Sequence, residues 1–236
     1  MYQNKSVALI CPAPHIERIH QRDYINKFDV IVRVNRSLPI PDKIKRNTSA
    51  RCNVLYIARN IDPVDEWDSV QEIRMQANAL WEQEKLSDED NNTMIPVFYK
   101  DKLCKYKNKI TLIHPSCYYD IINTCGFVPN IGLQAIIDII KEKPSLLYIT
   151  GMTFYRETRS NIVRSPFYEG YENPYHKKVV KNKGDIWGHD QDKQLRYFYN
   201  FYLNYSNIIK IDNKLKQTLD DYGKEKKKEG DFGCGK

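Results

Sequence analysis

Short apolar runs of strand length, rich in β-branched residues, constrain the fold of this chain more than any other feature. They are Val7–Cys11, Val30–Val34, Val54–Ile57, Ile110–Ile113, Leu146–Ile149 and Ile208–Ile211. Helix-like stretches lie between several of them: Asp65–Lys85, Tyr118–Cys125, Ile131–Lys141 and Asp190–Leu203. Strands that are buried on both faces show continuous apolar runs, and parallel strands need helical crossovers. The pattern predicts an α/β fold with a Rossmann-like, doubly wound, mostly parallel sheet and helices on both of its faces.

The length of the chain favours one domain. With 236 residues, of which 41% are hydrophobic, the chain can bury one sizeable core. We predict a single domain over residues 1–212, followed by a basic C-terminal helix or tail over residues 213–236. The polar segment Gln83–Asn92 predicts a solvated loop, and the length and lack of period of the Tyr-rich segment Phe154–Lys183 are typical of a lid loop.

No segment of the sequence is typical of a membrane span or of a signal peptide. No apolar run reaches the roughly 18–20 residues that a helix needs to cross a bilayer, and Met1–Lys5 leads into a short apolar run without a small-residue cleavage site. The six cysteines form no CxxC pair, which favours reduced thiols over zinc ligands or disulfides. We therefore expect a cytoplasmic protein.

Positive charge is concentrated in the C-terminal part of the chain. Residues 1–140 hold 18 Lys and Arg against 17 Asp and Glu, whereas residues 141–236 hold 19 against 13. The lysine clusters Lys177–Lys183 and Lys224–Lys228 lie in this second part. Such clusters are most often a solvated surface; attraction of an anionic substrate is the second interpretation, and contact with a membrane surface is the third.

Polar or glycine-containing segments follow several predicted strands, at the edge where ligands bind in open α/β sheets. Cys11–His15 follows the first strand, Asn35 the second, and Gly151–Tyr155 the strand that ends near Thr150. No GxGxxG motif follows the first strand and no GxxxxGK[ST] motif occurs, which excludes the usual dinucleotide and P-loop sites. A nucleotide would have to be held in another way.

Two asparagines are candidates for that task. The Asn35 amide could bond a base or ribose together with a backbone group, and the alternative is an ordinary turn at the end of a strand. Asn130–Gly132 precedes an apolar helix whose first-turn N–H groups would favour an anion. The alternative here is a plain N-cap, with Gly132 needed for close packing of the helix.

Histidines and tyrosines in and after the predicted lid are candidates for proton transfer. His189 lies at a loop-to-helix junction, where it could accept a proton near neutral pH, although a lone histidine is more often a packed or surface residue. His176 and the nearby Tyr171 and Tyr175 could donate hydrogen bonds to a departing phosphate, although tyrosines usually serve packing.

The segment after His189 has the DxD pattern of a metal site. Asp190 and Asp192 also open a predicted helix, where carboxylates complement the helix dipole. We interpret them as helix-start residues and predict no metal site.

In this order, the segments resemble the CMP-sialic acid-dependent sialyltransferases, both the animal type with its L, S, III and VS motifs and the shorter bacterial type. Phe28–Asn35 resembles the second half of the L motif, and Pro129–Leu133 through Thr150–Tyr155 resembles the S motif. Tyr171–Pro174 resembles the region of motif III, and Gly188–Asp190 resembles the VS histidine motif.

Three positions depart from the family pattern. Cys11–Pro14 stands where the family has a glycine–asparagine turn, so Pro12 replaces an amide that normally helps to hold the nucleotide. Asn130–Gly132 replaces the Ser-Thr-Gly of the animal S motif, and Gln194 stands where a VS glutamate would be. The donor therefore stays open between sialic acid and Kdo, a related 2-keto sugar acid that some relatives transfer from CMP.

The resemblance implies an inverting, metal-independent glycosyltransferase that moves such a sugar from a CMP-sugar to a glycan hydroxyl, with His189 as general base. It implies nucleotide binding by Pro12, Ala13, Asn35, Asn130, Ile131, Gly132 and Gly151, and phosphate binding by Tyr171, Tyr175 and His176. No cofactor is expected, because the CMP-sugar is a substrate. The expected partners are the CMP-sugar donor and the glycan acceptor, without nucleic acid, and the basic tail adds peripheral membrane contact as an option.

Two other function classes stay open at this point. A basic nucleic-acid-binding protein would account for the net charge of +7 and the 17 tyrosines, but no recognised nucleic-acid-binding motif occurs. A catalytically inactive nucleotide-binding scaffold of the same fold would account for the altered positions Pro12 and Gln194.

Overall fold

The computed structural model describes residues 1–58, 62–76, 83–85, 94–96, 103–156, 167–169, 171, 185–186 and 189–229, with the backbone alone at 83–85, 94–96, 185–186 and 228–229. Its strands are β1 (Ser6–Ile10), β2 (Val30–Val34), β3 (Val54–Ile57), β4 (Glu72–Met75), β5 (Gln83–Lys85), β6 (Met94–Pro96), β7 (Ile110–Leu112), β8 (Leu146–Thr150), β9 (Asp185–Ile186), β10 (His189–Asp190) and β11 (Ile209–Ile211). Its α-helices are α1 (Arg22–Ile25), α2 (Asp42–Asn47), α3 (Ser116–Cys125), α4 (Ile131–Lys141), α5 (Gln191–Asn204) and α6 (Asn213–Glu229). Short 3₁₀ segments form at Pro14–Arg18, Asp65–Ser69 and Cys104–Lys109.

A parallel sheet of seven strands, in the order β11-β8-β1-β2-β3-β4-β7, forms the centre of the molecule. The chain moves outward from β1 to β7 and then returns to place β8 on the other side of β1. In open parallel sheets a crevice forms beyond the carboxyl ends of the strands at such a reversal, which is the switch point of the fold. The predicted doubly wound α/β fold is confirmed.

Helices cover both faces of the sheet, as the continuous apolar strands require. One core contains Val30, Val32 and Val34 of β2 and the buried faces of α3, α4, α5 and α6, including Ile121, Leu133, Leu195 and Leu215. The other core contains Ile31 of β2 with Ile16, Ile25 of α1 and Ile44 of α2. Since neighbouring residues of one strand enter opposite cores, both faces of the strand are buried.

Helix α4 is the most deeply buried helix near the switch point. All of its residues from Ile131 to Ile140 are buried, as expected for a helix that is apolar all round. Its one acidic residue, Asp138, lies 2.6 Å from Nη1 of Arg74 and accepts a hydrogen bond of 2.7 Å from the Tyr56 hydroxyl. These contacts fix α4 along the sheet and so fix where its N-terminus lies.

The predicted helix Asp65–Lys85 is wrong. The segment begins with the 3₁₀ turn, continues as β4 between β3 and β7, and ends in β5. The charged residues of β4 concealed the strand, because Arg74 is buried in the sheet with Glu72 at 2.9 Å as a partner. The helices α1 and α2 were not predicted either, since four and six residues are too few to establish a period.

The structure also describes parts of the predicted solvated loop and of the predicted C-terminal segment. Gln83–Lys85, predicted as part of a solvated loop, pairs with β6 in an antiparallel ribbon, and the rest of that loop up to residue 92 lies outside the described residues. The C-terminal segment forms α6 up to Glu229, and Leu215, Leu219 and Tyr222 of this helix pack into the core.

Among the helices that the structure describes, none is long and apolar enough to cross a membrane.

Candidate active site

The loops after β1 and β8 lie against each other at the switch point. Cys11 N donates to the Thr150 carbonyl at 2.8 Å, and Ala13 N donates to the Gly151 carbonyl at 2.9 Å. Gly151 has a φ of 75°, and a Cβ atom at this position would lie 1.9 Å from the Cys11 carbonyl oxygen. Only glycine fits this approach of the two loops.

The predicted nucleotide-binding residues Pro12, Ala13 and Gly151 are therefore brought together, but their backbone groups are already bonded. The Pro12 carbonyl accepts from Tyr168 N at 3.0 Å, and the Gly151 N–H donates to Asp212 at 2.9 Å. These residues can therefore make van der Waals contacts with a ligand. Among the described residues of the two loops, few backbone N–H groups are left to donate a hydrogen bond to it.

Burial excludes Cys11 as a nucleophile in this loop. The thiol is almost fully buried, and burial together with the charge of Asp212 raises its pKa to about 12. The reactive form of cysteine is the thiolate, which is scarce at neutral pH when the pKa is this high.

Asn35 lies at the carboxyl end of β2 in the left-handed region, with a φ of 50°. Its N–H donates to the Tyr56 carbonyl at 2.6 Å, and its side-chain oxygen accepts from Ala58 N at 2.8 Å. The amide oxygen thus ties the ends of β2 and β3 together. No hydrogen bond of Asn35 Nδ2 forms within the described part of the chain, so this nitrogen can donate to a ligand.

Asn130 is the N-cap of α4, as the simpler of the two interpretations predicted. Its side-chain oxygen accepts from Leu133 N at 2.9 Å. Gly132, in the first turn, faces the switch point, because a Cβ atom here would lie 2.7 Å from Met152 Cε and 3.7 Å from Cys11 Sγ. The N–H groups of Ile131 and Gly132 precede the first intrahelical donor, and they lie where an anion would benefit from the helix dipole.

His189 is partly buried, and its Nδ1 atom lies 2.9 Å from the Val128 carbonyl oxygen. A carbonyl can only accept, so Nδ1 must carry the proton. The neutral ring then has its lone pair on Nε2, the atom from which a histidine acts as a base. Because Val128 lies two residues before the N-cap of α4, the structure brings the His189 ring close to the candidate anion site.

Asp212 and His15 lie within hydrogen-bond distance of each other at the same edge of the sheet, a contact that the sequence did not suggest. His15 Nε2 lies 2.8 Å from Asp212 Oδ2, which also accepts from Thr150 Oγ1 at 2.7 Å and from Gly151 N. Burial would raise the pKa of the Asp212 carboxyl, but the hydrogen bonds from His15 and from Leu215 N, with the other donors, hold it below its ordinary value. The sequence placed His15 in the segment after the first strand and Asp212 directly after the last one, but no pattern connected the two residues.

Tyr171 lies in an aromatic cluster beside the β2 loop. Its ring centroid is 4.6 Å from that of Phe167 and 5.4 Å from that of Tyr168. Burial, together with Tyr155 and Tyr168, raises the pKa of Tyr171 well above its ordinary value, against the opposing effect of the Arg36 backbone and charge. The hydroxyl therefore stays protonated next to the turn that contains Asn35. The predicted phosphate-binding residues Tyr175 and His176 lie outside the described residues.

Two backbone contacts hold this part of the predicted lid against the β1 loop. One is the bond from Tyr168 N to the Pro12 carbonyl; the other runs from Glu169 N to Glu17 Oε1 at 2.6 Å. Glu17 also pairs with Lys43 Nζ at 2.6 Å. Of the segment 154–183, residues 154–156, 167–169 and 171 are described.

Asp190 is the N-cap of α5, whereas Asp192, in the first turn of this helix, pairs with a side chain from the β8 loop. Asp190 caps α5 by accepting from Lys193 N at 2.9 Å, and Asp192 pairs with Arg156 Nη2 at 3.1 Å. In the described ranges of the chain, no three His, Cys, Asp or Glu side chains are grouped as they would be around a metal ion.

The solved structures that resemble this chain include sialyltransferases. A mammalian sialyltransferase in complex with Gal-beta-1-3GalNAc-ortho-nitrophenol matches with a TM-score of 0.51 and 12% identity, over 89% of this chain and 69% of that chain. A variant of the sialyltransferase CST-II in complex with CMP matches with a TM-score of 0.53 and 11% identity, over 88% of this chain and 80% of that chain. CstII from Campylobacter jejuni in complex with cytidine-5'-monophosphate matches with a TM-score of 0.52 and 10% identity, over 89% of this chain and 81% of that chain.

At these identities the similarity concerns the fold, and the chain has a sialyltransferase-like fold. A scan against models of protein families and a search of curated proteins found no significant match.

Proposed function

We propose that the protein is an inverting glycosyltransferase that transfers a 2-keto sugar acid, sialic acid or Kdo, from a CMP-sugar to a glycan hydroxyl. The hydrogen bond of 2.9 Å from His189 Nδ1 to the Val128 carbonyl supports this proposal most directly. It holds a ring whose Nε2 can accept a proton close to a helix N-terminus that can hold a phosphate.

The first turn of α4 would hold the phosphate of the donor. The N–H groups of Ile131 and Gly132 and the positive end of the helix dipole favour an anion there. CMP leaves with one phosphate, whose growing charge can be met by a helix N-terminus and by hydroxyl and imidazole donors. Tyr171, Tyr175 and His176 would supply those donors.

The cytidine would lie over the loops at the switch point. Asn35 Nδ2 would donate to the base or the ribose, because the side-chain oxygen of Asn35 is occupied by Ala58 N. Pro12, Ala13 and Gly151 would form the wall against which the nucleoside packs. Related folds crystallised with CMP support this choice of nucleotide.

His189 would act on the acceptor. Its Nε2 would take the proton of the acceptor hydroxyl while the hydroxyl oxygen attacks the anomeric carbon and the bond from that carbon to the CMP phosphate oxygen breaks. The Val128 carbonyl would stabilise the imidazolium that forms. Attack opposite to the leaving group inverts the anomeric centre through an oxocarbenium-like transition state. A glycan acceptor is supported by the mammalian neighbour, whose complex contains a disaccharide derivative.

Calorimetry with free nucleotides tests the nucleotide assignment. We expect CMP to bind at least about tenfold more tightly than UDP or GDP, because a site built for one phosphate leaves a second one unpaired or in steric conflict. Tighter binding of UDP than of CMP would overturn the proposal.

A further inference from the structure

Two glutamines hold opposite ends of one peptide group at the start of α4. Gln134 Nε2 donates to the Pro129 carbonyl at 2.9 Å, and Gln194 Oε1 accepts from Asn130 N at 2.8 Å. The Pro129 carbonyl and the Asn130 N–H belong to the same peptide group. Its two polar atoms are thus bonded to side chains from two different helices, α4 and α5.

This arrangement, which we name the glutamine clamp (Gln134 and Gln194), is shielded from water. Gln134 is 1% exposed and Gln194 is 0% exposed. Hydrogen bonds in such surroundings meet little competition from solvent, and a buried backbone group that loses its partner is costly. The clamp therefore restricts the rotation of the Pro129–Asn130 peptide group.

The clamped peptide group lies between the two parts of the candidate site. One residue before it, the Val128 carbonyl accepts from His189 Nδ1. Directly after it, Asn130 caps α4, and Gln134 N donates to the Asn130 carbonyl at 3.1 Å. A rotation of this peptide group would redirect the first N–H groups of α4 and move the acceptor that orients the His189 ring.

Either glutamine or glutamate at position 194 could make the contact with Asn130 N. The bond to Asn130 N requires an acceptor oxygen at the end of a side chain of this length, and glutamine and glutamate both provide one. The opposite contact requires a donor, which Gln134 supplies through its amide nitrogen.

We propose that Gln134 and Gln194 are positioning residues that aim the first turn of α4 at the donor phosphate and keep it in register with His189. This inference rests on the proposed function. It assigns a task to two residues that touch neither donor nor acceptor, and it makes their effect specific to the phosphate.

Comparing CMP with cytidine tests the clamp. In Gln194→Met the Asn130 N–H loses its acceptor, and in Gln134→Met the Pro129 carbonyl loses its donor. We expect each variant to bind CMP about tenfold more weakly than the wild type while its affinity for cytidine changes less than about threefold. Gln194→Glu, which keeps the acceptor oxygen, should bind CMP more tightly than Gln194→Met does.

The double variant and a control separate positioning from general loss of stability. Because both glutamines act on one peptide group, the double variant should lose less CMP affinity than the two single losses multiplied together. Thr218→Val, which removes a partly buried side-chain hydrogen bond of 3.0 Å within α6, should leave CMP affinity unchanged. Wild-type CMP affinity in Gln194→Met, or equal losses for CMP and cytidine, would overturn the proposal.

If the proposed function is wrong, the wild type itself will not bind CMP, and a second measurement is needed to test the clamp. If the wild type binds no CMP, amide hydrogen exchange at Asn130 still tests the clamp in the unliganded protein. Faster exchange in Gln194→Met than in Thr218→Val would show that Gln194 restrains this peptide group even though the proposed function is wrong, and equal exchange would contradict the clamp itself.

Discussion

At the scale of single residues, Asp212 shows how the site is held in place. Its buried carboxylate accepts hydrogen bonds from His15 after β1, from Thr150 at the end of β8, from Gly151 directly after β8, and from Leu215 in α6. Hydrogen bonds to an ionised acceptor are stronger than neutral ones, so one charge stabilises the junction of three segments.

Asp212→Asn should lower the free energy of unfolding by about 2–4 kcal/mol at neutral pH, because an amide group must face the donors that the carboxylate now accepts from. The pKa of Asp212 is lowered in the folded protein. Its contribution is therefore fully present above the unfolded value of about 3.9, and it is lost as pH falls through the lower folded value. Urea unfolding across acidic pH checks both effects; an equal pH dependence in wild type and variant would contradict this account.

Sequence patterns proposed several residues of the candidate site, but not their bonding partners. Asn35, Asn130 and His189 were proposed because each lies at the end of a strand or the start of a helix. The pair of His15 and Asp212 was missed because the two residues are 197 positions apart and no local pattern connects them. The same holds for Gln194, whose contact with Asn130 spans 64 positions.

At the scale of elements, the close contact of the β1 and β8 loops depends on Gly151. Its backbone is left-handed, and the Cys11 carbonyl occupies the space where a side chain would begin. Gly126, which ends α3, also has a positive φ of 65°, but no atom lies within 4 Å of a Cβ built there. Replacing each glycine by alanine therefore separates the energetic cost of a left-handed backbone from the cost of a steric clash.

Gly126→Ala should cost about 1 kcal/mol, which is the strain of a side chain in the left-handed region. Gly151→Ala should cost several times more, about 4 kcal/mol or above, because the two loops must also move apart. Chemical denaturation of both variants measures the difference. Equal destabilisation would show that the loops separate without cost.

Strands with continuous apolar runs were predictable as elements, whereas β4 was not. β2, β3 and the apolar helix α4 have the predicted bounds. An element that is buried on all sides appears in the sequence as a continuous apolar run, so its ends are easy to recognise. In β4, Glu72 and Arg74 alternate with apolar residues, which is the spacing of a strand, but the sequence analysis included this segment in a predicted helix. Arg74 is buried in the sheet because it pairs with Asp138 of α4, a tertiary contact that a local pattern does not contain.

At the scale of the whole molecule, the order of the strands decides where the site lies. The chain returns past β1 to form β8, which places Cys11, Gly151 and the start of α4 at one edge of the sheet. The sequence predicted the parallel sheet but not this order, because pairing between distant strands depends on the packing of the entire core.

Transfer activity should survive removal of divalent metal ions. We interpret Asp190 and Asp192 as helix-start residues, since Asp190 caps α5 and Asp192 pairs with Arg156. The rate of CMP release in the presence of acceptor should therefore be the same with EDTA as with added magnesium or manganese. Loss of activity in EDTA that is restored by either metal would assign the enzyme to a different class of transferase.

The role of His189 is the central claim, and single-turnover transfer by His189→Ala tests it most directly. With saturating CMP-sugar and acceptor, the variant should form product about 10²–10⁴ times more slowly than the wild type, the usual contribution of a positioned general base. Its affinity for CMP should change less than about threefold, because the histidine acts on the acceptor and not on the nucleotide. Transfer by the variant at the wild-type rate, with chemistry limiting, would show that the bond between His189 and Val128 is structural and that the proposed mechanism is wrong.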